Sequence, residues 1–246
     1  RKDIYTTMVD KYEAKKYVAE RIGEEYIIPT LGVWNHFDEI DFNALPDQFV
    51  LKCTHDSGGL VICTDKSKFD REVARKKIEH SLKRNFYWFG REWPYKNVPA
   101  RIIAEKYMSE DKNDTESTFN EVNGGLRDYK LYCFDGKVKL YLVTTDRSKG
   151  ATTGDYFDEK NRHLDLIWGF PNAKTIPDVP NNIEKMKELA EILAAGIPQL
   201  RVDFYCIHDK VYFGELTFFD GSGFDEIEQE CYRDLLGDYI KLPTLV

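Results

Sequence analysis

The chain has 246 residues, a net charge of −8, and 42% hydrophobic with 14% aromatic residues. This size suits one compact unit or two coupled subdomains, and the acidic balance argues against a nucleic-acid binder, which needs clustered Lys and Arg. No apolar run approaches the roughly 20 residues of a membrane span. Arg1-Lys2-Asp3 is no signal peptide, and a start at Arg rather than Met leaves room for an upstream segment. We therefore expect a soluble, cytoplasmic protein without a transmembrane segment.

The first half of the chain alternates helix and strand signals. A helical pattern follows Asp10, a plausible N-cap, and stops at Gly23. The pattern then predicts, in order, a strand at Phe49–Cys53, a loop at Thr54–Gly59, a strand at Leu60–Cys63, a polar helix at about 68–84 and a strand at Ala100–Met108.

The second half predicts two hairpins separated by a helix. A polar loop at about 109–126, whose composition suggests mobility, precedes a hairpin at Asp128–Val143 with Asp135-Gly136 at its tip, a strong turn signal. An apolar stripe indicates a helix from Asn181 to Gly196. Because strands come in antiparallel pairs with helices between the pairs, the predicted fold class is α+β.

The five cysteines predict no special chemistry. They are odd in number, lie mostly in predicted strands and lack CxxC or Cys/His ligand spacing, so we expect reduced structural thiols. They are Cys53, Cys63, Cys133, Cys206 and Cys231.

The last predicted hairpin, Leu200–Tyr205 with Tyr212–Thr217, places two carboxylates on one face. With a turn at His208-Asp209-Lys210, Asp203 pairs with Glu215 and Arg201 with Thr217. Like charges roughly 5 Å apart destabilise a sheet unless a cation bridges them. We therefore expect a divalent metal here, with Arg201 free for an anion. The alternative is an exposed hairpin whose carboxylates are solvated after a register slip.

A lysine inside an apolar strand forms the second candidate site. Lys52 must find an anion or extend to water, since burial of an unpaired ammonium is costly. The following Ser57-Gly58-Gly59 can bring backbone N–H groups against phosphate oxygens, which suggests a nucleoside triphosphate under a flap. The alternative is a simple hairpin turn. Neither the Walker A nor the GxGxxG pattern is present.

The order of these segments resembles the ATP-grasp superfamily, which includes the D-alanine:D-alanine ligases. The resemblance is closest to the TupA-like group, associated with teichuronopeptide and surface-polysaccharide biosynthesis, and extends from about residue 8 to about residue 228. The segments that carry it are Asp10-Lys11, Leu45–His55, Ser57-Gly58-Gly59, Glu105–Met108, Asp128–Gly136, Arg201-Val202-Asp203, Phe213–Thr217 and Gly221-Ser222-Gly223.

The resemblance implies two α+β subdomains that clasp ATP between antiparallel sheets. The first would span residues 1–107 and carry the flap, and the second would span residues 108–246 and carry a metal site. Lys11 and Lys52 match the lysines that contact the phosphates, and Ser57, Gly58 and Gly59 match the flap. The hinge that reads adenine would be Glu105, Lys106, Tyr107 and Met108: Glu105 and the Lys106 carbonyl accept hydrogen bonds and the Met108 N–H donates one.

The resemblance also assigns roles in the second subdomain. Asp128 stands where the family often has a ribose-binding acid, and Asp203 and Glu215 match the carboxylates that hold Mg²⁺. Thr217 replaces the usual Asn at the third metal position, so a second Mg²⁺ is less secure. The N-terminal domain that usually precedes the grasp is absent or reduced to a stub.

The chemistry implied by the resemblance is amide formation through an acyl phosphate. Arg201 would stabilise the acyl phosphate and the oxyanion, with the backbone of Ser222 and Gly223 as further donors. Lys130 would contact the γ-phosphate. The alternatives are an ion pair of Arg201 with Asp203 or Glu215, and a solvated strand lysine at position 130.

Other residues are weaker candidates. His55, beside the flap, more often serves as a hydrogen-bonding turn residue than as a substrate contact. A basic stretch could receive an anionic acceptor or be a solvated face; it contains Arg147, Lys160 and Arg162. Trp88, Trp93 and Tyr95 could line a sugar platform, although core packing is the stronger expectation.

Three functions remain open at this level. The favoured one is an ATP- and Mg²⁺-dependent carboxylate-amine ligase. It would join an amine to a carboxylate-bearing sugar, a uronic acid, of a capsule or other surface polysaccharide or its precursor. Peripheral association with a biosynthetic complex is compatible with this function. The second is a transferase, either a kinase or a glycosyltransferase; no Asp-x-Asp pair supports the latter. The third is a catalytically idle nucleotide-binding module, against which the intact Lys52, Asp203 and Glu215 argue.

Overall fold

The computed structural model describes residues 1–109, 126–145 and 152–241. The chain divides into two units: Arg1–Tyr17 with Ile27–Leu126 form unit 1, and Val18–Tyr26 with Arg127–Val246 form unit 2. The predicted boundary between residues 107 and 108 stays a prediction. Most of the predicted polar loop at 109–126, and Arg147, lie outside the described residues.

The helices begin and end at local signals in the sequence. Asp10 Oδ1 accepts hydrogen bonds from the amides of Tyr12 (2.8 Å) and Glu13 (3.3 Å), so the predicted N-cap is confirmed. The helix stops before Gly23, whose φ of +114° an L side chain rarely adopts. The described α-helices are α1 (Ile4–Val9), α2 (Glu13–Ile22), α3 (Arg71–Leu82), α4 (Tyr87–Gly90), α5 (Ile183–Ala194) and α6 (Glu230–Tyr239).

The strands form two antiparallel sheets. Unit 1 contains β1 (Thr30–Trp34), β2 (Phe49–Cys53), β3 (Leu60–Cys63) and β4 (Ile102–Lys106), in the order β1-β4-β2-β3. Unit 2 contains β5 (Asp128–Phe134), β6 (Lys137–Thr145), β7 (Thr153–Asp158), β8 (His163–Leu164), β9 (Gln199–Ile207) and β10 (Lys210–Thr217), in the order β10-β9-β5-β6-β7-β8. The predicted α+β class is confirmed.

Alternation along β2 separates the core of unit 1 from its polar face. Phe49, Leu51 and Cys53 are fully buried and pack with Ala74 and Ile78 of α3. Each fully buried side chain of this size stabilises the fold by roughly 1.5–3 kcal/mol. Lys52 therefore projects from the opposite face of the sheet, away from this core.

In unit 2 the predicted hairpin and helix are both confirmed. Asp135 and Gly136 have φ of 49° and 73°, the left-handed pair that a two-residue hairpin turn requires. The stripe of α5 is buried against the sheet, at Ile183, Met186, Leu189 and Leu193. Strand β5 is buried along its whole length because it lies between β9 and β6.

The β9–β10 hairpin has the predicted register, although the predicted turn is wrong. The turn contains two residues, His208 and Asp209, with φ of 50° and 59°, and Lys210 already pairs with Ile207. A β-bulge at Gly214 then inserts one residue. The extra residue compensates for the shorter turn, so that Glu215 lies opposite Asp203 and Thr217 opposite Arg201.

Several short or irregular elements escaped the sequence analysis. They are β1, β7, β8, α1, α4 and α6. Strand β1 is an edge strand with a glycine at its centre, which weakens the strand pattern. None of the helices in the described ranges has the length and apolar character needed to cross a membrane.

Candidate functional site

In unit 1, the Glu105 carboxylate lies between two lysines. Lys52 Nζ is 2.7 Å from Glu105 Oε2, and Lys15 forms an ion pair with Oε1 and donates to the carbonyl of Ile28 at 2.6 Å. Val50 pairs with Glu105 across the sheet, so Lys52, two residues along the strand, lies on the same face as Glu105. The predicted anion partner of Lys52 is thus a carboxylate of the same chain in this structure.

The two ammonium groups set the protonation of Glu105. Burial alone would raise the pKa of this carboxyl, but Lys52 and Lys15 outweigh burial and lower its pKa to about 2. Burial lowers the pKa of Lys15, although Glu105 beside it acts in the opposite direction. Within the described ranges one carboxylate faces two lysines, so these three residues keep a formal excess of one positive charge that suits a phosphate.

The predicted flap connects β2 to β3. Ser57 and Gly58 are exposed, and Gly58 has a φ of +100° with open space where a Cβ would be. Gly59 is buried, and a Cβ there would lie 2.6 Å from Ser81 Oγ and 2.7 Å from Asp56 Oδ1. Glycine is therefore required at 59 for close packing, while the tip at Ser57-Gly58 leaves backbone accessible to a ligand.

Side chains at the base of this loop hold it in place. Lys11 Nζ donates to the Asp56 carbonyl at 2.5 Å, and Asp56 Oδ2 accepts from Ser81 Oγ. His55 Nε2 lies 3.2 Å from the Ser81 carbonyl and 3.1 Å from the Arg84 carbonyl. His55 is therefore the hydrogen-bonding residue that the sequence favoured. Lys11 contacts the loop backbone here, and its role at the phosphates stays a prediction.

The predicted adenine hinge follows Glu105 along β4. The Lys106 amide donates to the carbonyl of Pro29 at 3.0 Å, and Lys106 pairs with Phe49. The Lys106 side chain is exposed, Tyr107 is buried and Met108 is half-buried. The hydrogen bonds proposed for an adenine ring at Lys106 and Met108 stay predictions.

In unit 2, the opposed carboxylates are bridged by a guanidinium. Arg201 Nη2 lies 2.8 Å from Asp203 Oδ2, 2.7 Å from Glu215 Oε1 and 3.0 Å from Thr217 Oγ1. Arg201 Nε also donates to Asp203 Oδ1 at 2.8 Å. The expectation that Arg201 is free for an anion is therefore wrong for this structure, because the alternative ion pair forms with both carboxylates.

This arrangement nevertheless shows that the three predicted metal ligands converge. Oxygens of Asp203, Glu215 and Thr217 all lie within 3.0 Å of one atom, Arg201 Nη2. Two carboxylates and a hydroxyl are hard oxygen donors of the kind that Mg²⁺ accepts. The donor set therefore fits Mg²⁺ once the guanidinium moves aside. No group of three or more His, Cys, Asp or Glu side chains suited to a metal occurs in the described part of the chain, so the set depends on Thr217 or on water.

Lys130 and Asp128 extend the cluster along β5. Lys130 pairs with Asp203 across the sheet, and its Nζ lies 2.5 Å from Asp203 Oδ2 and 3.9 Å from Asp128 Oδ2. Lys130 is 8% exposed. The alternative of a solvated strand lysine is therefore wrong, and its role at the γ-phosphate stays a prediction, as does ribose binding by Asp128.

Asp220 is a member of this cluster that the sequence analysis missed. Its carboxylate pairs with Arg201 and accepts a hydrogen bond from the Tyr132 hydroxyl. The sequence did contain one indication of this role, because Asp220 directly precedes the predicted donor loop Gly221-Ser222-Gly223. In that loop the Ser222 amide already donates to the Phe219 carbonyl at 3.2 Å, so Ser222 serves a ligand only if this bond opens. The donor roles of Ser222 and Gly223 stay predictions.

Unit 2 has a charge excess opposite to that of unit 1. Among the residues that the structure describes, four carboxylates face two cations, Arg201 and Lys130. Burial lowers the pKa of Arg201, but its three carboxylate neighbours outweigh burial and raise this pKa well above the usual value. Burial raises the pKa of Asp203 against the effect of Arg201 and Lys130. The cluster thus retains a formal excess of two negative charges, which suits a divalent cation.

The other candidates have mixed outcomes. None of the five cysteines forms a disulfide, as predicted, although Cys231 is exposed on α6. Arg162 forms an ion pair with Asp158 (2.6 Å), and a role of this basic stretch in acceptor binding stays a prediction. Tyr95 is buried as expected of a core residue, whereas Trp88 is 61% exposed, so the core expectation is wrong for Trp88.

Two helix-flanked antiparallel sheets with these residues define the ATP-grasp fold. D-alanine–D-alanine ligase from Bacillus anthracis matches with a TM-score of 0.50 at 16% identity over 95% of this chain and 65% of that chain. The complex of this ligase with ATP matches with a TM-score of 0.48 at 14% identity, over 86% of this chain and 53% of that chain. The D-alanine–D-alanine ligase from Helicobacter pylori matches with a TM-score of 0.46 at 15% identity, over 85% of this chain and 54% of that chain. The chain thus spans about half to two thirds of their length.

The family is defined by the sequence itself. The TupA-like ATP-grasp family matches residues 1–241, so the chain belongs to this family, within the ATP-grasp superfamily. A comparison with curated proteins gives no match. The predicted ATP-grasp fold and the predicted family are both confirmed.

Proposed function

We propose that this protein is an ATP-dependent carboxylate-amine ligase. The observation that carries the proposal is the convergence of Asp203, Glu215 and Thr217 oxygens on the single point where Arg201 Nη2 lies. Family membership and the positive excess at Lys15, Lys52 and Glu105 support it. ATP is the nucleotide proposed for the unit 1 residues, and Mg²⁺ is the ion proposed for the unit 2 residues.

The lysines of unit 1 would bind and orient phosphate oxygens. Lys52 is already held on the polar face of β2 by Glu105, so its position is organised before a nucleotide binds. A phosphate would take over part of this ion pair, since Lys52 retains 21% side-chain exposure whereas Glu105 has 7%. The accessible backbone at Ser57-Gly58 would add N–H donors.

Asp203, Glu215 and Thr217 would hold Mg²⁺. When bound, Mg²⁺ neutralises charge that develops on phosphate oxygens. Displacement of the Arg201 guanidinium from the convergence point would release it toward an anionic group, which reconciles the ion pair in this structure with the predicted catalytic role of Arg201. Lys130, whose ammonium lies 2.5 Å from Asp203 Oδ2, would continue to favour the ionised form of Asp203.

The proposed reaction has two steps. A substrate carboxylate attacks the γ-phosphorus of ATP, the bond to the β-γ bridging oxygen breaks, and an acyl phosphate and ADP form. The amine then attacks the acyl carbon, loses a proton and expels phosphate, which gives the amide. Arg201, once released, and Lys130 would together stabilise the negative charge of the phosphoryl group in the first step. In the second step they would stabilise the tetrahedral oxyanion.

The acceptor is the finer part of the proposal. On the resemblance to the TupA-like group, we assign the carboxylate to a uronic acid of a surface polysaccharide or its precursor, and the nucleophile to an amino acid or other amine. The protein would act in the cytoplasm, where ATP is available. The second candidate function is a transferase. Of its two forms, a kinase would use the same phosphate-binding residues.

Calorimetry with ATP, GTP and UDP-sugars, each with Mg²⁺ and with EDTA, tests the site. We expect Mg²⁺-dependent selectivity for ATP in the wild type and its loss in Asp203→Asn. Glu188→Gln, an exposed carboxylate on α5, is the matched control and should behave as the wild type. Binding of a UDP-sugar without binding of ATP would contradict the proposal.

Product analysis tests the reaction. With paired panels of uronic acids and amines, the ligase should release ADP and free phosphate in equal amounts and only when both substrates are present. Phosphate retained on a hydroxyl of the product would instead identify a kinase. ATP binding without turnover on any pair, combined with a partner that requires the ATP-bound form, would identify an idle nucleotide-binding module.

A further inference from the structure

A one-turn helix of unit 1 exposes large aromatic side chains. Trp88 and Phe89 on α4 are 61% and 64% exposed, whereas Tyr95 nearby is 8% exposed. Large apolar side chains that remain together in water mark an interaction site more often than a chance exposure. The proposed ligase chemistry uses neither residue.

Cations lie directly on these rings. The Arg84 guanidinium carbon is 4.5 Å from the Phe89 ring centre, and that of Arg91 is 4.6 Å from the Trp88 ring centre. Lys96 Nζ is 5.6 Å from the centre of the Tyr87 ring. Aromatic and basic groups therefore form one surface, the aromatic-basic face, which consists of Arg84, Tyr87, Trp88, Phe89, Arg91 and Lys96.

The charges of this face are not neutralised internally. The stretch of residues 81–96, which holds the whole face, contains four cations and one acid, the buried Glu92, in a chain with 43 acidic residues and a net charge of −8. Neither Arg84 nor Arg91 forms an ion pair with any carboxylate in the ranges that the structure describes, and the buried Arg84 Nε has no hydrogen-bond partner there. By contrast, Arg75 and Arg101 each contact carboxylates. The face is thus complementary to an anion.

Local hydrogen bonds hold the face in shape. Asn85 Oδ1 accepts from the Tyr87 amide at 3.1 Å, and Asn85 Nδ2 donates to the Lys96 carbonyl at 3.0 Å. The Arg91 amide donates to the Tyr87 carbonyl at 2.8 Å, with Arg91 in the left-handed region at φ 59°. Beneath them the Phe86 ring packs edge-on against Tyr95 with centres 5.0 Å apart. The exposed rings are therefore presented on an ordered support.

We propose that the aromatic-basic face binds the surface of an anionic phospholipid membrane. Trp and Tyr rings and Arg and Lys side chains are the groups enriched at the bilayer interface. Guanidinium groups bind lipid phosphates, while the ring edges enter the acyl boundary. A stacked sugar is less well matched, because a guanidinium already covers one face of each exposed ring. Two aromatic side chains with four nearby cations, including Lys83, would give reversible, peripheral binding.

Vesicle sedimentation with the full chain tests this proposal. We expect the wild type to bind phosphatidylcholine vesicles containing about 30 mol% phosphatidylglycerol, at low salt, at least about 30-fold more tightly than phosphatidylcholine alone. Arg84→Gln/Arg91→Gln should lose about 30-fold in affinity and about half of the salt dependence, because Lys83 and Lys96 remain. The matched control is Lys68→Gln/Lys241→Gln, which removes two exposed cations elsewhere and should bind as the wild type.

A second set of variants tests the aromatic part. Trp88→Ser/Phe89→Ser should lose most binding at low and high salt, whereas Ile176→Ser/Ile192→Ser, at two other exposed apolar positions, should not. Trp88→Phe should keep most of the binding. It should lose the blue shift that the wild type shows on vesicle addition, which identifies which of the four tryptophans enters the lipid. Thermal unfolding of each variant verifies the fold.

Three results would overturn the proposal. One is equal affinity of the wild type for neutral and anionic vesicles. Another is unchanged binding in both double variants of the face while their folds are intact. The third is absence of wild-type binding to the anionic vesicles. In that case variant-sensitive binding of a soluble oligouronate would assign the face to a glycan, and variant-sensitive self-association would assign it to a second copy of the chain.

Discussion

Units 1 and 2 each contain a cluster of buried charges, and the two clusters are unbalanced in opposite directions. In unit 1 a single carboxylate, Glu105, forms ion pairs with both Lys15 and Lys52. In unit 2 Arg201 and Lys130 form ion pairs with Asp203, and the carboxylates around them outnumber these two cations. A charged residue in a strand is thus a weak indicator of function when it is taken alone. The sign of the charge that remains after internal pairing is the basis for the two proposed ligands, a phosphate at the first cluster and a divalent cation at the second.

Removal of a carboxylate from unit 2 should have the largest effect. We expect Asp203→Asn and Glu215→Gln to lower turnover by on the order of 10³-fold or more, since each removes a proposed Mg²⁺ ligand worth several kcal/mol. The fold should survive, because each change also relieves carboxylate repulsion. Steady-state ADP release and thermal unfolding are the measurements, with Glu188→Gln as control. Wild-type turnover in both variants would exclude the metal assignment.

Acid should weaken unit 1 through Glu105. Its pKa is lowered to about 2, below the ordinary value of 4.5, so its stabilising contribution is complete above pH about 4.5 and is lost as the pH falls toward 2. The contribution is on the order of 3 kcal/mol in the free energy of unfolding.

Denaturant unfolding of the wild type and Glu105→Gln across this pH range measures the contribution. We expect the two proteins to differ most above pH 4.5 and to converge toward pH 2. A constant difference over the whole range would show that the two lysines do not set the ionisation of Glu105.

Replacement of one lysine should separate phosphate binding from internal pairing. Lys52→Met should weaken ATP binding by about 1.5–3 kcal/mol, the range of a charge-assisted hydrogen bond. Lys15→Met should weaken it less, because Lys15 is more buried and already donates to the Ile28 carbonyl. Calorimetric titration of both variants with ATP, with Lys68→Met as control, measures the two losses of affinity. If Lys15→Met has the larger effect, Lys15 and not Lys52 contacts the nucleotide.

The smallest expected effect concerns Arg201 as the occupant of the metal position. In Arg201→Ala, Asp203 and Glu215 lose their bridging cation, and Mg²⁺ should raise the melting temperature by several degrees more than in the wild type. The double variant Arg201→Ala/Asp203→Asn should lose this response. An equal Mg²⁺ response in the wild type and Arg201→Ala would mean that the guanidinium does not compete with the ion.

Much of the site was predictable because its geometry follows from strand periodicity. Alternation placed Asp203 opposite Glu215. The need of Lys52 for an anion followed from the cost of an unpaired ammonium in an apolar strand, and the structure supplies that anion as Glu105. The register was nevertheless reached through two compensating differences, a shorter turn and the bulge at Gly214. The state of Arg201 was not predictable from alternation, since the same face suits a free guanidinium and a bridging one.

The sequence by itself determined the α+β class, the main strands, the helix limits at Asp10 and Gly23, and the family, because each depends on residues close together in the chain or on their order. Only the tertiary structure showed that Lys15 contacts Glu105, 90 residues away, that Asp220 joins Arg201, and that Trp88 is exposed. Such contacts depend on how distant elements pack, and local propensity and periodicity contain no information about a partner that distant. Packing therefore decided which charges remain in excess, and with them the proposed ligands.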